Sequence, residues 1–182
     1  MVNKFNIIVY AGAGSSVPSG IPAFTKGDNA LWNNYDVDQV CNIKTFKNNM
    51  SVIHKFYRDF FIMEKACRPH LFHTWLKEKE EDGHDIQIVT TNIDSLFERA
   101  GLTKVNHVHG SLEFQKCIGC GTKWTINREQ ETILPRCPKC DCQYTKPDVI
   151  FRNEKCVKEY TTGNTLLRKY CKQTSSILID VG

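Results

Sequence analysis

Two Cys-x-x-Cys pairs, Cys117-Ile-Gly-Cys120 and Cys137-Pro-Lys-Cys140, stand sixteen residues apart in a chain of 182. Each pair offers two thiolates from one tight turn, and the spacing lets the two turns meet so that four sulfurs close a tetrahedron around one Zn2+. A saturated four-thiolate site leaves no position for an activating water, so the metal is expected to hold a small module together. Just upstream, His107-Val-His109-Gly-Ser and Thr90-Thr-Asn92-Ile-Asp94 read as loops at strand ends in an α/β nucleotide-binding sheet. The cysteine module therefore reads as an insertion into an enzyme.

Length and composition bound the rest. A chain of 182 residues buries one full core, or an incomplete larger one beside a small metal-held module. With 41% hydrophobic and 24% charged residues it is an ordinary soluble globular sequence, neither disordered, collagen-like nor coiled-coil. Nine cysteines, an odd count of about 5%, fall below the roughly 8–10% of a secreted disulfide scaffold. With no recognisable leader and no apolar run of membrane-spanning length, the expected compartment is intracellular, cytoplasmic or nuclear. The formal charge of +4 falls to +2 once four thiolates bind a divalent ion, and that balance implies neither membrane nor nucleic acid as a partner.

Apolar patterning supplies a coarse order of elements. Asn6–Tyr10 is a buried-type strand ending in the glycine turn Gly12-Ala13-Gly14, and residues 15 to 35, rich in Pro and Gly, read as a long loop. Apolar residues at helical spacing from Ser51, the expected N-cap, to Ala66 predict a helix of about four turns. A second helix is expected from Pro69 to the charged run before Gly83. Asp85–Thr90 and Lys104–Val108 read as strands, Asp94–Ala100 as a short helix closed by Gly101, Asn164–Tyr170 as helical and Ser176–Gly182 as a further buried strand. Strand and helix alternate, which predicts a parallel sheet with crossover helices.

Taken alone, Gly12-Ala-Gly14 after a strand is a weak nucleotide signal, because Val17 replaces the third glycine of the dinucleotide fingerprint. Its continuation through Ser15-Ser16-Val-Pro-Ser19-Gly20-Ile-Pro22-Ala-Phe24 resembles the GAGxSxxSGIPxFR pattern of the sirtuins, which are NAD-dependent protein deacylases. The resemblance continues in order through Leu31-Trp32-Asn-Asn-Tyr35 (LWxxY), Pro69-His70-Leu-Phe-His73 (PNxxH), Thr90-Thr-Asn92-Ile-Asp94 (TQNID) and His109-Gly110-Ser111 (HGS). The four cysteines and then Lys146–Glu154 (RPxVVxFGE) follow where the family carries its zinc module and substrate loop.

The resemblance implies a Rossmann-like NAD-binding unit, residues 1–112 and 151–182, with a zinc-binding module at 113–150. In it Gly12, Ala13 and Gly14 approach the NAD+ pyrophosphate, where absent side chains allow close backbone contact, and Ser16 joins the cofactor-binding set. Phe24 closes over the nicotinamide ribose, Ile93 and Asp94 hold the nicotinamide carboxamide, and Asn92 organises the ribose and water side. His109 is the implied general base, a task suited to an imidazole whose ordinary pKa of about 6.5 lies near operating pH. The implied reaction moves an acyl group from a lysine of a protein or peptide onto ADP-ribose with release of nicotinamide. From the residues alone, His109 also reads as a hydrogen-bonded loop residue, Asn92 and Asp94 as a capping pair, and Phe24 as core.

The departures are informative. The family's DFR triplet is Ala23-Phe24-Thr25, Thr91 replaces a glutamine, and FGE reads Arg152-Asn153-Glu154; these imply altered contacts to NAD and to the substrate strand. The later strands that hold the adenosine half in the family are not matched, which implies an incomplete sheet. Tyr57 is followed three residues on by Phe60 rather than the arginine of succinyl-preferring sirtuins, so a neutral acyl group is expected. Alternative readings are an NAD glycohydrolase or ADP-ribosyltransferase on the same fold, or a catalytically impaired zinc-ribbon interaction protein. For the last, residues 116 to 146 carry six basic and three acidic side chains, a mild excess usual for a solvated surface.

Overall fold

The computed structural model describes residues 3–22, 35–129, 134–155 and 157–182. Ala23, Phe24, Thr25, Leu31 and Trp32 lie outside the described residues, so the expectations placed on them are not addressed by it.

Four parallel strands form the main sheet in the order β3-β2-β1-β7. They are β1 (Asn6–Ala11), β2 (Asp85–Thr90), β3 (Val105–His107) and β7 (Ser176–Val181). The central pair is largely buried, as strands covered on both faces must be, which is why β1 reads as a continuous apolar run and β2 buries Gln87 and Thr90 beside Ile86, Ile88 and Val89. Helix α3 (Leu71–Glu81) covers one face, burying Leu76 against Ile7, Val9, Ile86 and Ile88. Helix α5 (Val157–Cys171) covers the other, with Tyr170 against Ile8, Val89 and Val108. A Cβ at Gly163 would stand 2.5 Å from Val108 Cγ1, so glycine there lets α5 settle close to the sheet.

A second, antiparallel sheet, ordered β5-β4-β6, carries the cysteines. It comprises β4 (Gly110–Cys117), β5 (Lys123–Thr125) and β6 (Thr145–Val149). Packed against β6 is α2 (Met50–Ala66), which buries Ile53, His54, Phe56, Tyr57, Phe60, Phe61 and Glu64 at helical spacing. Ile53, Phe56, Tyr57, Phe60 and Phe61 share one core cluster with Ile93, Leu96, Leu112, Val149 and Phe151. Two short helices complete the order, α1 (Val37–Val40) before α2 and α4 (Leu96–Arg99) after β2.

Several local expectations need correction. A 3-10 helix, Ala13–Ser19, follows the glycine turn at once where a loop was expected; Pro18 is tolerated inside it because so short a helix asks little of its amide. Helix α2 begins one residue before Ser51, capped by Asn49 without a side-chain bond. Helix α3 is capped by His70 rather than opened by Pro69: the His70 side chain accepts from Phe72 N, and His73 Nδ1 accepts from His70 N. Helix α5 starts at Val157, well before Asn164. Strand β7, expected to be buried, is half-exposed, with Ile177 and Leu178 open to solvent, because among the described residues it pairs on one side only, with β1.

His54 ties α2 to the small sheet. Its Nε2–H donates to the Thr145 carbonyl at 2.8 Å while Nδ1 is buried without a partner. Burial lowers its pKa to about 4, the Thr145 bond opposing and the nearby Arg128 charge adding to the shift. The ring is therefore neutral in the fold, whereas an unfolded histidine titrates near 6.5. Between these values the unfolded chain binds more protons, so this contribution is complete above pH 6.5 and is lost as pH falls toward 4. At pH 5 the loss is about 1–2 kcal/mol. Chemical denaturation of zinc-loaded wild type and His54→Gln at pH 5 and 7 checks this: the variant is expected to show the smaller difference, and an equal difference refutes the assignment.

Candidate functional site

The strand order reverses at β1: the chain leaves it toward β2 and β3 on one side and returns to β7 on the other. In open α/β sheets the crevice beyond the carboxyl ends of the strands at such a switch point is where ligands bind. Here that crevice is formed by the turn after β1, the loop after β2 and the end of β7. Gly12 N donates to the Val181 carbonyl at 2.7 Å. A Cβ on Gly14 would lie 2.7 Å from the Gly182 carbonyl carbon, so only glycine permits this approach.

The expected site residues Gly12, Ser16, Asn92 and Asp94 meet in one buried hydrogen-bond network. Asn92 Nδ2 lies 3.0 Å from the Gly12 carbonyl, from Ser15 Oγ and from Ser16 Oγ, donating among the three. Ser16 Oγ donates to Asp94 Oδ2 at 2.9 Å, and Asp94 Oδ1 accepts from Leu96 N at 3.2 Å. Ser15 Oγ donates to the Gly12 carbonyl at 2.7 Å. Asp94 therefore does the work of a cap for α4 and also faces the glycine turn. Burial raises its pKa, with the Ser16 and Leu96 hydrogen bonds opposing. From the other side His70 Nε2 contacts the Ser15 carbonyl at 2.7 Å, a role for His70 that its position in the sequence did not suggest.

Beside the network opens a cleft of about 530 Å³ lined by Ala13, Tyr57, Asn92, Ile93, His109 and Phe151, among others. Its mainly apolar wall with a few convergent polar groups is the usual form of a small-molecule site. His109 Nε2 lies 2.6 Å from the Tyr160 hydroxyl. Burial lowers the His109 pKa below 6.5, against a hydrogen bond with the Thr91 backbone. With Nε2 against the Tyr160 hydroxyl, the ring edge faces the cleft that His109 and Tyr160 both line. Tyr160 lies 51 residues from His109, on a helix whose start the apolar spacing does not mark.

The loop from β6 to α5 forms another wall. Lys146, buried, pairs with Glu154 at 3.0 Å, and Glu154 accepts from Phe151 N at 3.0 Å. Asn153 has a φ of 63°, a left-handed conformation that asparagine tolerates better than other non-glycine residues. The replacement of glycine in Arg152-Asn153-Glu154 thus preserves the turn. Tyr57 stacks on Phe151 with centroids 5.8 Å apart at the base of the cleft.

Two clamps hold α4 and the loop before it. Glu64, buried on α2, accepts from Ser95 N at 3.1 Å and Ser95 Oγ at 2.8 Å and pairs with Arg99 at 3.3 Å. On the opposite side His107 bridges the Asn92 carbonyl and Glu98 at 2.6 and 2.7 Å. Neither clamp is visible in sequence, because each joins residues from separate elements.

The cysteine cluster meets the geometric demand of zinc. The sulfurs of Cys117, Cys120, Cys137 and Cys140 all lie within 4.8 Å of one another. Cys117 to Cys140 is 3.7 Å and Cys120 to Cys137 is 3.6 Å; ligands about 2.3 Å from one tetrahedral zinc stand about 3.8 Å apart. Cys120 N donates to Cys117 Sγ at 3.4 Å, the turn-amide-to-sulfur contact that favours a thiolate. Cys142, the neighbouring fifth cysteine, is outside the cluster. Among the described residues no helix is long and apolar enough to cross a membrane.

Comparison with known proteins agrees with this architecture. An NAD-dependent protein deacylase of Campylobacter jejuni (strain RM1221) is 32% identical over 178 residues, 97% of this chain and 73% of the relative. A Sir2 homologue mutant solved with ADP-ribose superposes with a TM-score of 0.81 at 28% identity, over 97% of this chain and 69% of that one. A Sir2 variant solved with a deacetylated p53 peptide and 3′-O-acetyl-ADP-ribose superposes with a TM-score of 0.76 at 28% identity, over 97% and 71%. The profile of the Sir2 family matches residues 12–180, from the glycine turn to the end of β7, so the chain belongs to the Sir2 family.

Proposed function

We propose that this chain carries the catalytic site of an NAD-dependent protein lysine deacylase, transferring a neutral acyl group to ADP-ribose with release of nicotinamide. The reading rests above all on the buried Asn92 network at the switch point, beside a cleft that His109 lines. In this reading residues 1–112 and 151–182 form the NAD-binding unit and residues 113–150 the zinc module.

Gly12, Ala13 and Gly14 give the pyrophosphate a backbone surface without side chains. Ile93 and Asp94 face the nicotinamide, and Asn92 organises the ribose side. Ser16 acts through Asp94 and Asn92, both of which it holds. When bound, NAD supplies an electrophilic ribose carbon as nicotinamide leaves. His109 Nε2 then accepts a proton from a ribose hydroxyl, which takes the place of the Tyr160 hydroxyl. Because burial keeps the imidazole neutral below the usual pH, the base is in its working form at neutrality. The acid limb of kcat/KM is expected to centre below pH 6.5.

His109→Ala is expected to lower kcat by roughly 10²–10⁴-fold with a much smaller change in NAD affinity. Nicotinamide release and acyl-ADP-ribose formation from NAD and an acetyl-lysine peptide report this directly. Unchanged turnover in the folded variant refutes the role of His109, and free ADP-ribose without acyl transfer favours a glycohydrolase.

The acyl class follows from the cleft wall. Phe60, where an arginine would be needed beside Tyr57, is buried in the core, and Arg58 points toward the Glu129 carbonyl. Arg152 lines the cleft, but it is largely exposed and lies 3.6 Å from Asp38. A succinyl carboxylate therefore lacks a buried partner. Acetyl- or longer aliphatic acyl-lysine peptides are expected to outperform succinyl-lysine; succinyl as the best substrate overturns this and assigns its recognition to Arg152.

Cys117, Cys120, Cys137 and Cys140 are the proposed zinc ligands. One zinc per chain is expected in the reduced protein and none in a Cys137→Ser, Cys140→Ser double variant. Elemental analysis that finds zinc retained in that variant sends the assignment elsewhere.

A further inference from the structure

His107 is placed where a neutral imidazole cannot satisfy its surroundings. Its Nδ1 lies 2.6 Å from the Asn92 backbone carbonyl and its Nε2 lies 2.7 Å from the Glu98 carboxylate. A carbonyl oxygen only accepts, so Nδ1 must carry a proton. Glu98 Oε1 belongs to a side chain that is 39% exposed, and a carboxylate oxygen in its usual ionised form only accepts. Both ring nitrogens then need protons, and only the imidazolium supplies two.

We propose that His107 is a positioning residue held as an imidazolium, which clamps the Asn92 carbonyl to Glu98 and so sets the direction in which the Asn92 side chain enters the site. The proposal deepens the deacylase reading above, since Asn92 is the residue on which that site is built. The clamp acts on the end of Asn92 opposite its hydrogen bonds to Gly12, Ser15 and Ser16. Glu98 sits on α4, whose other anchor is the Arg99–Glu64 pair, so a fixed helix backs the charge. Bonds to ionised groups are the short and strong ones, and those at His107 are short.

The charged surroundings agree. Glu98 contacts the ring, and Asp94 in the preceding loop adds negative potential. Across a small cleft that His107 also lines stand Lys116, Lys123, Lys146 and Lys155 with Asp148, Glu154 and Glu159. Lys123 is paired with Asp148 at 2.7 Å and Lys146 with Glu154 at 3.0 Å, so that side is nearly balanced. Burial works against the charge on His107, yet Glu98 and the Asn92 carbonyl hold its pKa above 6.5. A raised pKa means the clamp is complete below the ordinary value and is released as pH rises through the folded-state value. Release on the alkaline side is the opposite of what His109 does, so the two histidines bound a pH window from either side.

The test is an NMR titration of the ligand-free protein with labelled histidine and asparagine, in wild type, Glu98→Gln and His107→Gln. In wild type at pH 6.5 both nitrogens of His107 are expected to be protonated, and the Asn92 side-chain amide is expected to shift with the same midpoint as His107. Glu98→Gln keeps an accepting oxygen but removes the charge, so the His107 midpoint should fall and the Asn92 shift should move with it. In His107→Gln the pH-dependent Asn92 shift should vanish. A neutral His107 at pH 6.5, a midpoint unmoved by Glu98→Gln, or an Asn92 amide indifferent to the titration overturns the proposal. These readouts need no catalysis, so they stand apart from any failure of the deacylase reading. In a chain that turns over, Glu98→Gln is expected to lower kcat most between its own His107 midpoint and that of wild type, with the difference closing at pH above both.

Discussion

The side-chain amide of Asn92 is the interaction on which the site depends. It reaches from the end of β2 to the turn after β1 and is shared among the Gly12 carbonyl and the hydroxyls of Ser15 and Ser16. Ser15, Ser16, Asn92 and Asp94 are all buried, and buried polar groups left unpaired are costly. The network is thus satisfied as a whole or fails as a whole. It also fixes the backbone of the glycine turn, which a glycine-rich segment would not do unaided because glycine loses the most conformational freedom on ordering.

Packing supports that network from three sides. Helix α2 lies beneath it through Ile93 and Leu96 of the shared core and through the Glu64 carboxylate beneath Ser95. The cap of α3 reaches the Ser15 carbonyl through His70. Strand β3 grips the Asn92 carbonyl through His107. The cleft beside it is closed below by Tyr57 and Phe151, whose stacking joins α2 to the loop leaving the small sheet. That link gives the metal cluster a mechanical role: the tetrahedron of sulfurs holds the sheet that presents the 149–154 wall, while His109 and Asn92 stand on the other one.

Much of this was legible in the sequence where chemistry and spacing coincide. The paired cysteines named their own cluster, and β1 and β2 were readable because strands covered on both faces are mainly apolar. The apolar run of β7 gave the strand but not its burial, since Ile177 and Leu178 are exposed. Gly12-Ala-Gly14, Thr90–Asp94 and His109, each at or close to the end of a predicted strand, are brought by the fold to the same cleft. The 3-10 helix at Ala13–Ser19 was hidden by Pro18 and by the lack of helical periodicity in so short a turn. Asn153 read as a change in the contact to the substrate strand, and only its left-handed backbone shows why asparagine serves in the turn. The pairs Glu64–Arg99, His107–Asn92 and His109–Tyr160 were out of reach, since each depends on which helix or strand the fold brings alongside.

Amide hydrogen exchange across residues 12–16 and 91–96, with and without ADP-ribose, tests most directly whether this network is prebuilt and is where the nucleotide sits. Ser15 N and Thr91 N donate to backbone carbonyls and Asn92 N to Thr90 Oγ1, so slow exchange is expected before any ligand is added, and slower exchange at both segments once ADP-ribose is bound. Rapid exchange of these amides in the free protein, or protection by ADP-ribose confined to other segments, contradicts the account.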